Sequence, residues 1–106
     1  MRIASISDEE IRFDGGHTIT FDHFQDCCEE NYADFDQVDD IARSATFTHP
    51  LQFEAVDGFG FRFGNENNMH FVPCYSYQNG YYSSDISIFY DGKEVLNFDA
   101  EEMITF

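Results

Sequence analysis

The sequence predicts an α+β domain: an antiparallel β-meander of about five to seven strands, with one or two short helices between residues 24 and 45. Three observations carry that reading. Glycine and Asx pairs punctuate the chain at short intervals, apolar and polar residues alternate between them, and helical spacing falls at Val38, Ile41 and Ala42. With 106 residues, 42% of them hydrophobic, and 13 phenylalanines, residues 1–106 form a single domain that can bury a core without disulfide or metal staples.

Taken in order, EIRF-DGG-HTITF (10–21) reads as a first hairpin, with Ile19 and Phe21 on one face and Thr18 and Thr20 on the other. VDDIARSA (38–45) reads as a short helix. LQFEAV and FGFRF follow as strand, separated or bulged at Asp57-Gly58, and GNENN (64–68) is a polar turn. In MHFVPCYSYQNGYYSSDISIFY (69–90), Asn79-Gly80 suits a two-residue type I′ turn, because both central positions need positive φ. That register sets Tyr77 against Tyr82, Tyr75 against Ser84, Pro73 against Ile86 and Phe71 against Ile88. The face is nearly all apolar and is expected to be buried, leaving His70, Val72, Cys74 and Ser76 on the wetter face. Pro73 cannot donate to a ladder, so it implies an outward-facing backbone, a bulge or an edge. FYDGKEVLNF closes as a hairpin at Asp91-Gly92. A three-residue loop, Tyr90 to Gly92, is expected there because it sets Leu96 opposite Ile86 and Phe98 opposite Ser84, on the apolar face.

The charge narrows function. There are 21 Asp and Glu against five Lys and Arg, a formal net charge of −16. Such a field repels phosphates and anionic membranes and steers the chain toward basic partners, while also serving solubility. No direct nucleic-acid or membrane binding is expected. The N-terminal MRIASISDEEIRF has neither the cationic nor the apolar region of a signal peptide, and three cysteines, two of them adjacent, do not make a disulfide framework. A cytoplasmic location is the expectation.

Chemistry concentrates in HFQDCCEENYADFDQVDD (23–40). His23-x-x-x-Cys27 and His70-x-x-x-Cys74 repeat one spacing, a notional zinc set of two cysteines and two histidines, and with Cys28 adjoining, the candidate ligands retained are His23, Cys27, Cys28 and Cys74. His23 and Cys27 would share a helical face, but His70 and Cys74 on a strand stand roughly 13 Å apart at about 3.3 Å per residue. No cofactor is therefore favoured, zinc being the alternative. A thiol nucleophile at Cys27 or Cys28, with His23, His17 or His70 as base, is opposed by Asp22, Asp26, Glu29 and Glu30, since nearby anions suppress thiolate. Phosphate-loop, dinucleotide-loop and nucleophile-elbow motifs are absent. DFDQVDD lacks the glycine and distal glutamate of a calcium loop. The working surface is then the acidic run itself, Glu29, Glu30, Asp34, Asp36, Asp39 and Asp40. Tyr81, at a projecting hairpin tip, joins it as the aromatic contact; the tyrosines around it equally suit ordinary cross-strand pairs.

HFQDCCE (23–29) and QNGYYSSDISI (78–88) together resemble the paired H-x-Q-D-C-C-E and S-N-G-Y-Y-S signatures of a family of small uncharacterised phage and bacterial proteins, a domain of unknown function. Gln78 stands where that pattern has serine. The resemblance implies a phage-type origin, no established activity, and a local unit of His23, Asp26, Cys27, Cys28 and Glu29. The expected function is that of a non-enzymatic acidic protein that binds a basic protein surface, such as a DNA-mimic, anti-CRISPR-like inhibitor of a host-defence or nucleic-acid enzyme. The alternative is a zinc-binding or thiol-dependent protein centred on His23, Cys27 and Cys28.

Overall fold

A computed structural model describes residues 1–22, 30–78 and 83–104, the Ile104 side chain excepted. The predicted unit around His23, Cys27 and Cys28, the Asn79-Gly80 turn and Tyr81 lie outside those residues. Among the described residues ten strands form two sheets, more than the five to seven expected, and helix is confined to a 3₁₀ turn at Phe35–Gln37 and one short helix, α1 (Asp40–Ser44), so the fold is β-rich. The first sheet orders β1 (Ile3–Ile6), β2 (Glu10–Phe13), β3 (Thr18–Asp22), β8 (Asp85–Tyr90) and β9 (Lys93–Asp99). The second gathers β4 (Glu30–Ala33), β5 (Gln52–Val56), β6 (Gly60–Asn65) and β10 (Glu101–Ile104) around the 11-residue β7 (Asn68–Gln78). Both sheets contribute to one core. Phe13 on β2 meets Phe63 on β6 edge-on at 6.3 Å, and Phe47 packs against both.

The local hairpins form where glycine and Asx permit them. β2 and β3 pair as expected, with Ile11 opposite Ile19, and β5 and β6 pair about the turn at Asp57-Gly58. Phe61 and Phe63 are buried and Phe59 is exposed. The helix expected over 38–45 spans only Asp40–Ser44; Val38, which precedes it, and Ala42 go inside, but Ile41 is 70% exposed, because five residues of helix bury only one turn's face.

Strand β7 corrects the sequence reading twice. It does not pair with β8: both edges of β8 are taken, by β3 and β9, and β7 belongs to the other sheet. Its buried face is also the opposite of the expected one. His70, Val72, Cys74, Ser76 and Gln78 point inward, while Phe71 and Tyr77 are exposed and Tyr75 is half-buried. The reason is a polar chain inside. Gln78 Nε2 donates to Ser76 Oγ at 2.7 Å, Ser76 Oγ donates to Asn31 Oδ1, and Asn31 Nδ2 donates to the Ser83 and Asp85 carbonyls at 3.0 and 3.1 Å. Each member is satisfied by the next, so polar groups tie β4 and β7 to the start of β8 without the cost of unpaired burial. Outside, Tyr32 stacks on Tyr77 and tilts against Tyr75, which leaves an aromatic stripe on the surface.

Pro73 marks a change of partner. Its carbonyl accepts from Asp34 N–H at 2.9 Å, just past the end of β4, while the next N–H, of Cys74, donates to the Phe59 carbonyl at 3.0 Å. A carbonyl and the following N–H point to opposite sides of an extended strand, so β4 and β6 flank β7 on opposite edges. β10 adds a parallel pairing, Glu101 beside Tyr75, that a pure antiparallel meander does not contain.

The last hairpin differs in turn length from the expectation. Asp91 (φ 52) and Gly92 (φ 80) form a two-residue turn, with Tyr90 opposite Lys93. A bulge at Val95 then shifts the register, setting Leu96 against Ile88 and Phe98 against Ile86. Leu96 and Phe98 reach the apolar face as expected, by a bulge and not by a longer loop, but opposite Ile88 and Ile86 rather than the expected Ile86 and Ser84.

Candidate functional site

The acidic stretch acquires shape where β4 leaves the sheet. Alternation along β4 turns Asn31 and Ala33 inward and leaves Glu30 exposed and Tyr32 half-buried. Asp34 ends the strand and starts the 3₁₀ turn, its carbonyl accepting from Gln37 N–H at 3.2 Å and its carboxylate from Gln37 Nε2 at 2.8 Å. That turn drives Phe35 into the core, where its ring meets Phe21 at 5.7 Å.

The result is a cavity of about 300 Å³ lined by Asp8, Glu9, Phe21, Glu30, Tyr32, Ala33, Asp34 and Phe35. Its aromatic lining comes from β3, β4 and the 3₁₀ turn. Its carboxylates come from both sheets, Asp8 and Glu9 from the β1–β2 connection and Glu30 and Asp34 from either end of β4. No lysine or arginine is among the described residues that line it. Burial and the neighbouring Tyr77, with Asp34 and Glu30 adding negative charge, push the Tyr32 phenol up to about 12. Tyr32 therefore stays a neutral hydroxyl at the cavity wall at any physiological pH.

The predicted acids separate in space. Glu30 and Asp34 line the cavity. Asp36, Asp39 and Asp40 do not, and Asp39 is instead the N-cap of α1, its Oδ1 accepting the Ala42 N–H at 2.7 Å. That bond outweighs the effect of burial and, with His70 beside it at 3.3 Å, holds the Asp39 carboxyl below the usual carboxylate range. Glu29 lies outside the described residues, as do Tyr81 and three of the four candidate zinc ligands, His23, Cys27 and Cys28. The fourth, Cys74, is fully buried; burial, with Asp34 nearby, raises its thiol far above the ordinary value, and its S–H faces the Val72 carbonyl at 3.9 Å. Its proposed companion His70 sits between Asp39 and Asn68, with Nε2 2.8 Å from Asn68 Oδ1. β7 runs unbroken through both residues, so the second half of the zinc set is not a chelate, and Cys74 serves packing.

Asp8, Glu9, Phe21, Tyr32 and Phe35 are cavity residues that sequence reasoning misses. They are far apart in sequence, and each reads locally as turn, strand or core. The one local signal is Asp8-Glu9, a carboxylate pair at a strand connection. Comparison with models of known protein families, with curated proteins and with solved structures finds no match for this chain, so the geometry alone bears on its role.

Proposed function

We propose that this chain is a non-enzymatic binding protein that engages a basic protein surface by taking a lysine or arginine side chain into the cavity beside β4. The observation that carries the reading is the cavity's make-up: four carboxylates around an aromatic lining, with no cationic residue among its described walls. An ammonium or guanidinium group entering there gains charge-assisted hydrogen bonds and an aromatic face together. The formal charge of −16 supplies long-range steering toward such a partner. Carboxylates that occupy lysine and arginine sites compete with phosphates for them, so the partner class is a nucleic-acid-binding or host-defence protein and the mode is DNA mimicry. The phage-type origin implied by HFQDCCE and QNGYYSSDISI fits that use.

The test is affinity capture from the native host with mass spectrometry, at low and at physiological salt, with duplex DNA as competitor. The expected partner is released by salt and by DNA, and is lost on Glu30→Gln with Asp34→Asn, while Asp36→Asn with Asp40→Asn weakens it less. Capture that is indifferent to salt, or to the Glu30/Asp34 pair, rejects the proposal.

A further inference from the structure

Away from the acidic cavity, three connections bring two histidines and a carboxylate together. His17 ends the β2–β3 turn, His49 lies in the connection between α1 and β5, and Asp91 opens the β8–β9 turn. One nitrogen from each histidine and one Asp91 oxygen all lie within 4.8 Å of one another. The two imidazoles stack at 4.0 Å with 13° between their planes. His17 Nδ1 is 2.6 Å from Asp91 Oδ2, and His49 Nδ1 is 2.6 Å from the Tyr90 hydroxyl. Asp91 is fixed from both sides: its N–H donates to the Thr18 carbonyl at 2.9 Å, and its Oδ1 accepts the Thr18 N–H at 3.0 Å. His17 is half-buried, and His49 and Asp91 are exposed, so solvent reaches the group.

We propose that His17, His49 and Asp91 form a binding site for a late first-row divalent cation of the zinc, cobalt or nickel class. Two imidazoles and one carboxylate are a ligand set for these ions; magnesium and calcium require oxygen ligands in greater number. Three protein ligands leave at least one coordination position open to water or to a small ligand. Tetrahedral bonds of about 2.0 to 2.1 Å place ligand atoms roughly 3.3 Å apart, so the widest pair must draw in by at most about 1.5 Å, while the 2.6 Å contact of His17 Nδ1 with Asp91 Oδ2 opens if both atoms are ligands. Rotation of the His49 ring out of the stack, with its Tyr90 contact given up, is the side-chain adjustment this requires. The backbone stays in place because Thr18 already holds the Asp91 turn. The overall negative charge concentrates cations at the surface and adds to the attraction. The site is independent of the cavity reading.

The opposing account makes the cluster a hydrogen-bonded clamp between turns, with no affinity for metal. Calorimetric titration of untagged protein with zinc chloride separates the two. Cobalt absorption reports the ligand field in parallel, and magnesium serves as the control. One zinc per chain with a micromolar dissociation constant is expected, weakened about tenfold or more by His49→Ala and by His17→Ala, and unchanged by Cys27→Ser with Cys28→Ser. His49 is exposed, so its variant keeps the fold, which circular dichroism verifies. Absence of uptake at submillimolar zinc overturns the proposal. So does uptake that survives both histidine substitutions, or that is lost with the cysteines.

Discussion

Replacing Asn31 tests whether the polar chain between the sheets holds them together. Asn31 is 3% exposed, donates to two backbone carbonyls across the sheet boundary and accepts from Ser76 Oγ. Three hydrogen bonds at a net contribution of about 1 kcal/mol each give a loss of about 3 kcal/mol for Asn31→Ala, before any cavity contribution. Asn31→Leu fills most of the volume yet leaves the Ser83 and Asp85 carbonyls without that donor, so it should still cost about 2 kcal/mol or more. For a domain of this size, a loss of about 3 kcal/mol lowers the thermal midpoint by roughly 12 to 24 °C. Urea unfolding of native protein, both variants, Ser76→Ala and the double Asn31→Ala/Ser76→Ala closes the cycle. The double variant should cost less than the sum of the singles by about 1 kcal/mol, because each single already breaks the shared bond. A loss under about 1 kcal/mol for Asn31→Leu, or strict additivity in the cycle, would refute the claim that hydrogen bonding explains the inward polar face of β7.

Two further outcomes follow from local geometry. At Gly64 (φ +145) an added Cβ would lie 2.0 Å from the Asn68 carbonyl oxygen, whereas at Gly15 (φ +86) it would meet nothing within 4 Å. Gly64→Ala should therefore cost about 3 kcal/mol or more in urea unfolding and Gly15→Ala only about 1 to 2, the φ strain alone; equal losses would remove the steric account. At Asp39 the folded carboxyl titrates below its unfolded value, so its stabilising contribution is fully present above the unfolded value, about 3.9, and is lost as pH falls through the folded one. Asp39→Asn keeps a capping oxygen and removes the titration. The stability gap between native and variant should narrow as pH falls below about 4, and parallel melting curves across that range would show that the charge contributes nothing.

How much is legible in the sequence depends on the range of the information. Asx-Gly pairs announce the turns around Asp14, Asp57 and Asp91, since positive φ is a local requirement that the residue itself reveals. Partner choice is not local. Asn79-Gly80 together with a clean apolar face on residues 69 to 77 points to a β7–β8 hairpin, and the strands instead lie in separate sheets. The hydrophobic pattern fails there because Asn31, 45 residues upstream of Ser76, satisfies groups whose burial is otherwise forbidden. At Val95 one bulged residue reconciles a two-residue turn with the apolar register, a combination that turn rules and face rules taken separately exclude. The candidate site divides similarly. Glu30 and Asp34 are visible as part of a charge run, while Asp8, Glu9 and the aromatic lining enter only through the tertiary fold.

Exposure of Phe71 and Tyr77, with Tyr75 half-buried between them on the outer face of β7, has a colloidal consequence. An oily stripe on a strand's solvent side ordinarily invites a second copy, and mutual repulsion between strongly anionic molecules opposes that approach. That repulsion is conditional: it weakens wherever carboxylates take up protons or counterions screen them, so acidification brings the tyrosine ladder of one molecule within reach of the next.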